Sequence, residues 1–279
     1  MALISLSDGW SKDKESQIIE LISTLNNMGF YVELSKTLYR RDGFFSGTPL
    51  ERASELNKLF KDKEIKAIFD ISGGDSANQI LSLIDYESIR KNPKPFLGLS
   101  DLTTILNALY HKSEIKTFHY KIRNLIGNDK ESQQNKFINS FFKGKVDIFD
   151  FPYTWLRGNR IEGEVIGGNL RCFLKLSGTE YLPDPVDKVL LLEGLGGDFS
   201  RITSLICQLN QIGYLDKISG LVLGTFTELI NNNDMKKLCD FILDLTKDKE
   251  LPIIKTERIG HGDDAVCIII GETLILEKK

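Results

Sequence analysis

The chain of 279 residues contains few cysteines and few histidines. Its four cysteines, at positions 172, 207, 239 and 267, lie far apart, and the sequence has no C-x-x-C pair and no closely spaced Cys/His set. Because cysteine is among the residue types most often buried, we expect reduced and mostly buried thiols. Three histidines leave little material for a histidine-rich metal site, so neither a metal nor another cofactor is expected.

An excess of basic charge and a long apolar run are also absent. The formal net charge of −3 lacks the basic surplus that binding to a phosphate backbone requires, so nucleic acid is not an expected partner. No apolar run approaches the ~20 residues of a membrane span. The opening "MALISLSDGW" has no basic region and no small-residue cleavage site, which predicts a first strand and not an export signal. Composition and opening together predict a cytoplasmic protein without a membrane partner.

Strand-like and helix-like patterns alternate along the chain. The first half contains the strand patterns "ALISLS", "YVELS" and "KAIFDIS" and the helical patterns "KESQIIELISTLNNMG" and "PLERASELNKLFKD". A helix is also predicted after "SGGD". Further on come "KVLLLEG", a helix with Ile202, Leu205, Ile206 and Leu209 on one face, "SGLVLGTF" and a helix from about 234 to 248. This alternation predicts an α/β protein with parallel sheets.

Two further stretches, residues 121–160 and the end of the chain, concern the organisation of the second half. Between residues 121 and 160 the sequence becomes polar and less regular, with one helix candidate, and we place a domain junction near the end of that stretch. The predicted domains are therefore residues 1–155 and 156–279. The final stretch "AVCIIIGETLILE" is predicted to form paired strands.

Ser100 stands where a strand pattern passes into a helix pattern. The sequence Gly-Leu-Ser-Asp-Leu at 98–102 matches the first three positions of G-x-S-x-G but has leucine in place of the second glycine. A serine at the start of an apolar-periodic helix is also what a helix N-cap requires. However, open α/β sheets bind ligands at the carboxyl ends of their parallel strands. Both interpretations, helix cap and nucleophile, stay open at this point.

Two further residues could complete the chemistry of a serine nucleophile. Glu193 ends the apolar run 189–192 and precedes a glycine-rich loop, and a buried carboxylate there would need a partner. His261 lies between Gly260 and Gly262, which leave the imidazole accessible. The alternatives are a solvated strand end and a surface loop histidine. Together, Ser100, His261 and Glu193 supply the nucleophile, base and carboxylate of a catalytic triad.

The glycine pair Gly73-Gly74 precedes a predicted helix and could direct free backbone N–H groups into the same crevice. With the amide of Asp101, the amide of Gly74 would form an oxyanion hole. A phosphate-binding loop is the alternative, but neither glycine-rich phosphate motif is present and Asp75 would repel a phosphate.

A zinc site is a further alternative. His111 and Glu114, with a distant His261, provide the His, Glu, His ligand set of zinc carboxypeptidases. His111 and Glu114 fall, however, at the polar end of the helix after Ser100, where charged residues are usual.

The segment "GGDSANQILSLIDYESIRKNPKPFLGLSDLTTILNALY" resembles the signature region of the LD-carboxypeptidase family, serine peptidases that include microcin C self-immunity enzymes. Four further blocks are similar to family blocks in family order, so the resemblance extends over nearly the whole chain. They are "YRRDGFFSGTPLERASELNKLFKDKEIKAIFDISGG", "EGEVIGGNLRCFLKLSGTEYLPD", "RITSLICQLNQIGYLDKISGLVLGTF" and "IGHGDD".

The resemblance implies a role for each candidate residue. It places the nucleophile at Ser100, the other triad members at Glu193 and His261, and the oxyanion amides at Gly74 and Asp101. It also implies that Asn169, in the block Gly-Gly-Asn at 167–169, faces substrate. The implied architecture is an N-terminal flavodoxin-like domain with Ser100 and a C-terminal domain richer in β structure with Glu193 and His261. The active site would lie between them, commonly in a homodimer.

The activity that the resemblance implies is hydrolysis of the L,D bond before the C-terminal D-amino acid of a murein tetrapeptide. The alternative within the family is cleavage of a peptidyl- or aminoacyl-nucleotide, and the alternative outside it is a flavodoxin-like domain that binds a ligand without chemistry. Gly194 and Gly197 replace residues that are usually acidic in the family, and Asp75 replaces an aromatic one. Arg171 and Arg201 could each hold a substrate carboxylate, and the sequence does not rank them.

Overall fold

The structure is a computed structural model that describes residues 1–41 and 43–278, and within these ranges twelve strands form two six-stranded sheets. The strands are β1 (Ala2–Ile4), β2 (Glu33–Leu34), β3 (Ile68–Asp70), β4 (Phe96–Gly98), β5 (Thr117–His119), β6 (Thr154–Arg157), β7 (Arg160–Asn169), β8 (Lys188–Gly194), β9 (Gly220–Phe226), β10 (Ile253–Lys255), β11 (Ile268–Ile270) and β12 (Thr273–Glu277).

Helices connect most of the parallel strands. They are α1 (Glu15–Asn27), α2 (Pro49–Lys61), α3 (Tyr86–Lys91), α4 (Thr103–Ser113), α5 (Lys130–Lys143), α6 (Leu170–Leu174), α7 (Phe199–Gln211), α8 (Thr227–Asn231) and α9 (Met235–Leu245). Helix α2 shows how local sequence sets a boundary. Thr48 and Glu51 form a reciprocal capping box, and Pro49 occupies the first helical turn, where a missing N–H costs nothing.

The first sheet has the strand order β2-β1-β3-β4-β5, all parallel, with β11 antiparallel at the β5 edge. This order is that of flavodoxin-like sheets, which bind ligands at the carboxyl ends of their strands. The predicted flavodoxin-like domain is therefore confirmed, and Ser100 lies just beyond β4 at that end of the sheet.

The second sheet has the order β12-β7-β8-β9-β10-β6, with four parallel central strands and an antiparallel strand at each edge. Strands β7, β8 and β9 are seven to ten residues long, whereas strands of the first sheet have two or three. The predicted fold class, with a C-terminal part richer in β structure, is confirmed. The predicted boundary at 155/156 falls inside β6 and stays a prediction.

The two strands of "AVCIIIGETLILE" do not pair with each other. Strand β11 pairs with β5 in the first sheet, and β12 pairs with β7 in the second. Gly271, at a φ of +83°, makes the turn between them, and its N–H donates to the carbonyl of Val165 in β7 at 2.8 Å. The chain thus crosses from one sheet to the other at this glycine.

The helix predicted after "SGGD" is a 3₁₀ helix over Ala77–Leu83. In an α-helix the carbonyl of Ser76 would accept from the N–H four residues further on. Here it accepts from the N–H of Gln79, three residues further on, and from the buried guanidinium of Arg52, each at 3.1 Å. The bond from Arg52 joins the start of this 3₁₀ helix to α2.

Helix α4 joins the two sheets. The side chain of Asn107 accepts from Gly167 N–H at 2.9 Å and donates to Gly167 carbonyl at 2.8 Å, and the N–H of Asn169 donates to Thr103 Oγ1 at 3.0 Å. All these groups are buried, so each would be costly to leave unpaired. These bonds hold the start of α4, and with it Ser100, against the carboxyl end of β7.

The cysteines follow the expectation of mostly buried, reduced thiols. Cys172, Cys239 and Cys267 are buried and Cys207 is half-buried, and all four are free thiols. Burial raises the pKa of Cys172 to about 12, which keeps that thiol protonated. Over residues 1–41 and 43–278, no helix has both the length and the apolar character needed to cross a membrane.

Candidate active site

Ser100 begins a 3₁₀ turn, Ser100–Leu102, between β4 and α4, and it adopts a φ of +62°. A positive φ is unfavourable for a residue with a side chain, and such residues cluster at functional sites. The cap positions of the turn and of α4 belong to Leu99 and Leu102, and neither end has a side-chain cap bond. The helix-cap interpretation of Ser100 is therefore wrong, and the strained strand-to-helix turn matches the geometry of a nucleophile elbow.

One cavity brings the predicted residues of both sheets together. It has a volume of about 180 Å³, and its wall includes Ser100, His261 and the loop of Gly73 and Gly74. Leu195, from the glycine-rich loop after Glu193, also lines it. The cavity therefore combines the end of β4 with two loops of the second sheet, as expected for a site between the sheets.

Glu193 and His261 form a direct hydrogen bond. Glu193 lies near the end of β8 with its side chain fully buried, and His261 Nδ1 lies 2.7 Å from Glu193 Oε2. Desolvation acts to raise the pKa of Glu193, but His261, His119 and the amide of Asn169 outweigh it and lower that pKa. The carboxylate is therefore ionised, and it favours the tautomer with the proton on Nδ1.

The other imidazole nitrogen of His261 is free. Nε2 is buried and makes no hydrogen bond with any residue in the described ranges, Ser100 included. With Nδ1 donating to Glu193, Nε2 carries the lone pair that can accept a proton inside the cavity. Hydrogen bonds between catalytic groups often tighten only when substrate binds, so this arrangement suits a base facing a serine hydroxyl.

The loop that holds His261 depends on Gly260, whose φ is +138°. A side chain at this position would overlap the hydroxyl of Thr225 and would place its Cβ 3.0 Å from Glu193 Oε2. The sequence pattern predicts that the two flanking glycines leave the imidazole accessible. The structure shows that Gly260 is needed for close approach to Glu193.

Replacing Gly260 with alanine should therefore displace His261 and lower kcat by about 10²-fold, because displacements near 1 Å have effects of that size. Gly262→Ala is the matched control: its Cβ would meet only the end of the Asp264 side chain, at 2.9 Å, and its φ is not positive. Steady-state kinetics of both variants tests this. An equal loss in the two variants would contradict it.

His119 is a residue of this site that sequence analysis missed. It is fully buried at the end of β5, and its Nε2 lies 3.8 Å from Glu193 Oε1, on the side of the carboxylate away from His261. Burial lowers the pKa of His119 to about 4, so the ring is neutral at neutral pH. Its position opposite Gly98 of β4, at the carboxyl end of the neighbouring strand, is the signal that could have identified it.

Buried neutral His119 should make stability fall in acid. Between about pH 6.5 and 4 the unfolded imidazole binds a proton that the folded one does not, so unfolding takes up a proton and acid favours it. This difference corresponds to about 3 kcal/mol of unfolding free energy across that window. His119→Gln should lose this part of the pH dependence, measured by urea unfolding at pH 4.5 and 7.

The comparison between variant and wild type cancels the contributions of groups that do not interact with His119. Asp70, whose pKa burial raises to about 7, acts in the opposite direction, because its stabilising protonated form is lost as pH rises toward 7. That contribution is the same in both proteins. An unchanged pH dependence in His119→Gln would show that His119 is not the buried neutral group.

The predicted oxyanion amides lie beside Ser100. A Cβ built on Gly73 would come within 4.0 Å of Ser100 Oγ, so the glycine loop passes directly by the hydroxyl. Gly74 has a φ of +132°, and the carboxylate of Asp8 packs against it, which leaves no space for a side chain. Within the described ranges, the N–H groups of Gly74 and Asp101 have no protein acceptor. Free amides in this position suit a developing oxyanion.

The side chain of Asp101 positions these amides. It is fully buried, and Oδ2 accepts from Ser7 Oγ at 2.7 Å and from Ala77 N–H at 2.8 Å, while Oδ1 accepts from Lys175 Nζ at 2.5 Å. The carboxylate thus ties the Ser100 turn to the segment after β1, to the 3₁₀ helix after the glycine loop and to the end of α6. Such a buried charge persists because it is paired and fully hydrogen-bonded.

Asn169 is placed beside Glu193 and not in the cavity wall. The two residues are register partners in β7 and β8, and Asn169 Oδ1 accepts from Cys172 N–H at 3.3 Å, which caps α6. Gly168, at a φ of +132°, packs against Thr103 Oγ1 and the ring of His119. The Gly-Gly-Asn block therefore allows α4 to pack closely on β7 and places Asn169 beside the carboxylate of Glu193. The substrate contact of Asn169 stays a prediction.

The structure separates the residues of the zinc alternative. His111 and Glu114 line a different cavity, of about 400 Å³, from the one that contains His261. Over residues 1–41 and 43–278, no group of three His, Cys, Asp or Glu side chains is arranged to hold a metal ion. The predicted ligand set is not brought together.

The comparisons with known proteins agree with the resemblance in the sequence. The family model described as the LD-carboxypeptidase N-terminal domain matches residues 1–120, and the one described as the LD-carboxypeptidase C-terminal domain matches residues 162–276. Together the two matches cover most of the chain.

Individual relatives carry two kinds of name. The chain is 29% identical over 260 residues to a probable murein peptide carboxypeptidase of Bacillus subtilis, covering 88% of this chain and 80% of the relative. It is 25% identical to the microcin C7 self-immunity protein MccF of Escherichia coli, covering 92% and 84%. A solved MccF-like protein of Bacillus anthracis has the same fold, with a TM-score of 0.87 at 24% identity, over 100% of this chain and 93% of that one.

Proposed function

Since this chain belongs to the LD-carboxypeptidase family, we propose that it hydrolyses the L,D bond before the C-terminal D-amino acid of a murein tetrapeptide. The observation that carries this proposal is the arrangement around one cavity. Ser100 and His261 line it, and the buried carboxylate of Glu193 lies 2.7 Å from the far side of the imidazole. A serine carboxypeptidase requires these three groups in this relation.

In the first half of the proposed reaction, Ser100 Oγ attacks the carbonyl carbon of the scissile amide while His261 Nε2 takes the hydroxyl proton. The carbonyl oxygen becomes an oxyanion that accepts from the N–H groups of Gly74 and Asp101. Each such donor contributes roughly 10²–10³ to the rate. His261 then gives its proton to the leaving nitrogen, the C–N bond breaks, and the D-amino acid departs as a free amine.

In the second half, water attacks the ester carbon of the acyl-enzyme, and His261 again accepts the proton. The ester bond to Ser100 breaks, and the proton returns to Ser100 Oγ. Throughout, the ionised Glu193 stabilises the imidazolium and keeps Nδ1 protonated. Its complete burial strengthens this interaction, because the surroundings have a low dielectric constant.

The second candidate function is self-immunity by cleavage of a peptidyl- or aminoacyl-nucleotide. The similarity to the microcin C7 self-immunity protein over 92% of the chain favours it. The same nucleophile, base and oxyanion amides would serve, because the bond attacked is again an acyl bond. The two functions differ in the substrate groups on either side of that bond, above all in the leaving group, which is a D-amino acid in one case and a nucleotide in the other.

A direct assay separates these functions. The enzyme is incubated with a murein tetrapeptide that ends in D-alanine, with the epimer that ends in L-alanine, and with an aminoacyl sulfamoyl adenosine, and products are identified by mass spectrometry. The proposal predicts release of D-alanine and no cleavage of the L-epimer. Cleavage of the adenosine derivative alone would establish the self-immunity function, and no cleavage of any of the three would refute both.

The remaining parts of the proposal concern the setting of the enzyme. The family resemblance leads us to propose a cytoplasmic homodimer without a nucleic-acid partner, in which residues 1–155 carry the nucleophile and residues 156–279 carry Glu193 and His261. Light scattering of the purified protein tests the dimer, since a monomeric mass across micromolar concentrations would exclude it.

A further inference from the structure

Arg123 is a cationic side chain in the wall of the catalytic cavity that the sequence did not single out. It lies in the 3₁₀ turn Ile122–Ile126 that follows β5, and it shares the cavity with Ser100 and His261. Its guanidinium stacks over the indole of Trp10, 4.7 Å from the ring centroid. Stacking of this kind fixes the plane of the guanidinium while leaving its N–H donors available.

Arg123 differs from the neighbouring cations because it lacks an acidic partner. Lys121 donates to Asp263 and to the carbonyl of His261, both at 3.2 Å, and Lys175 donates to Asp101. Arg171 pairs with Asp75 outside the cavity wall. Among the residues of 1–41 and 43–278, none forms an ion pair or a side-chain hydrogen bond with Arg123. Burial lowers the pKa of Arg123, which reflects the cost of an unpaired guanidinium in this position.

Asp70 lines the same cavity, and its charge acts to raise the pKa of Arg123. The carboxyl group of Asp70 is, however, hydrogen-bonded to other groups. It accepts from Leu6 N–H at 2.8 Å, from Ser72 N–H at 2.7 Å and from Ser72 Oγ at 2.5 Å. Burial also raises the pKa of Asp70 to about 7, so the group is only partly ionised at neutral pH. Asp70 therefore organises the loop before Gly73 and does not neutralise Arg123.

A carboxypeptidase must bind the terminal carboxylate of its substrate close to the nucleophile, and a cation does so most strongly. In any peptide the terminal carboxylate carbon is three bonds from the scissile carbonyl carbon, so the two lie within about 4 Å of each other. The carboxylate must therefore enter the cavity that contains Ser100. Arg171 and Arg201 do not line that cavity, whereas Arg123 does, with a planar fork of donors that matches a carboxylate.

We propose that Arg123 binds the terminal carboxylate of the substrate and thereby selects peptides with a free C-terminus. The inference rests on the proposed carboxypeptidase function and adds to it the residue that recognises the leaving amino acid. Binding of the carboxylate supplies the partner that Arg123 lacks and sets the scissile carbonyl against Ser100. A substrate whose C-terminus is an amide would lose this interaction.

The test compares the murein tetrapeptide ending in D-alanine with the same peptide ending in D-alaninamide. Wild type is expected to favour the carboxylate by about 10²-fold in kcat/KM, since truncating one partner of a buried charged pair has effects of this order. In Arg123→Met, kcat/KM for the carboxylate should fall by about 10²-fold, mainly through KM, and that for the amide should stay within a few-fold. Arg160→Met removes an exposed arginine at the far end of β7 and should preserve the preference.

Arg123→Lys covers the case in which the methionine variant does not fold. Lysine keeps the charge but cannot form the bidentate contact, so an intermediate loss of about tenfold, confined to the carboxylate peptide, is expected. Retention of the full carboxylate preference by either folded variant would overturn the inference while leaving the proposed function intact. If wild type cleaves neither peptide, the proposed function fails, and calorimetric binding of both peptides to Ser100→Ala and to Ser100→Ala/Arg123→Met still decides whether Arg123 selects the carboxylate.

Discussion

Replacing Ser100 with alanine is expected to lower kcat by about 10⁶-fold while leaving a folded protein, because the variant loses the only atom that bonds to the substrate. Alanine at a φ of +62° has much the same backbone strain as serine, and the structure gives the Ser100 hydroxyl no hydrogen bond to a described residue that the fold would lose. Stability measured by thermal unfolding should therefore be nearly unchanged. Activity is measured by release of D-alanine from murein tetrapeptide.

Ser82→Ala is the matched control for this variant. Ser82 is an exposed serine in the 3₁₀ helix Ala77–Leu83, and its loss should leave both kcat and the unfolding temperature unchanged. A Ser100→Ala enzyme that keeps more than about 1% of the wild-type rate would rule out Ser100 as the nucleophile, since removing a serine nucleophile leaves only the binding and oxyanion contributions.

Glu193→Gln should lower kcat by about 10⁴-fold with little change in fold. The amide has nearly the shape of the carboxylate, but it cannot stabilise an imidazolium, and its NH₂ group can hold His261 in the tautomer that protonates Nε2. Because Glu193 is fully buried and 2.7 Å from His261 Nδ1, solvent cannot replace the missing charge. Steady-state kinetics gives kcat, and the ¹⁵N shifts of the imidazole report the tautomer.

Glu164→Gln provides the control for the loss of one carboxylate from the same sheet. Glu164 lies in β7, where it accepts from the hydroxyl of Tyr110 at 2.7 Å and pairs with Lys188, in a cavity without Ser100 or His261. Its kcat should match that of wild type. A Glu193→Gln enzyme within tenfold of wild type would mean that the carboxylate does not orient His261 during the reaction.

The parts of the fold that the sequence predicts are those that arise from local patterns. The alternation of strands and amphipathic helices specifies βαβ units, which place the carboxyl ends of parallel strands at one edge of their own sheet. Ser100 lies at that edge of the first sheet and Glu193 at that edge of the second. The partners of β11 and β12 depend instead on a crossing between sheets at Gly271, which no local pattern contains. Similarly, the hydrogen bond from Arg52 to the carbonyl of Ser76, just before the 3₁₀ helix Ala77–Leu83, joins residues that are distant in the sequence.

The same distinction applies to the candidate site. Ser100, Glu193 and His261 could be selected from sequence because each combines a reactive side chain with a strand end or a glycine-rich loop. His119 offers only its place at the end of a strand, and Arg123 offers no signal, because the importance of both lies in what surrounds them. Glu193 lies beside His119, and in the catalytic cavity no side chain of the described residues pairs with Arg123. The Gly-Gly-Asn motif predicts a substrate contact for Asn169, and in the structure the backbone of that motif forms hydrogen bonds that join β7 to α4.

The most direct measurement of the central claim is the reaction of the enzyme with a fluorophosphonate, followed by peptide mass spectrometry. Ser100 activated by His261 predicts one adduct, on Ser100, that forms in step with the loss of peptidase activity and is absent from Ser100→Ala. An enzyme that stays unlabelled and fully active under the same treatment, or that loses activity through an adduct at another residue, would contradict the claim.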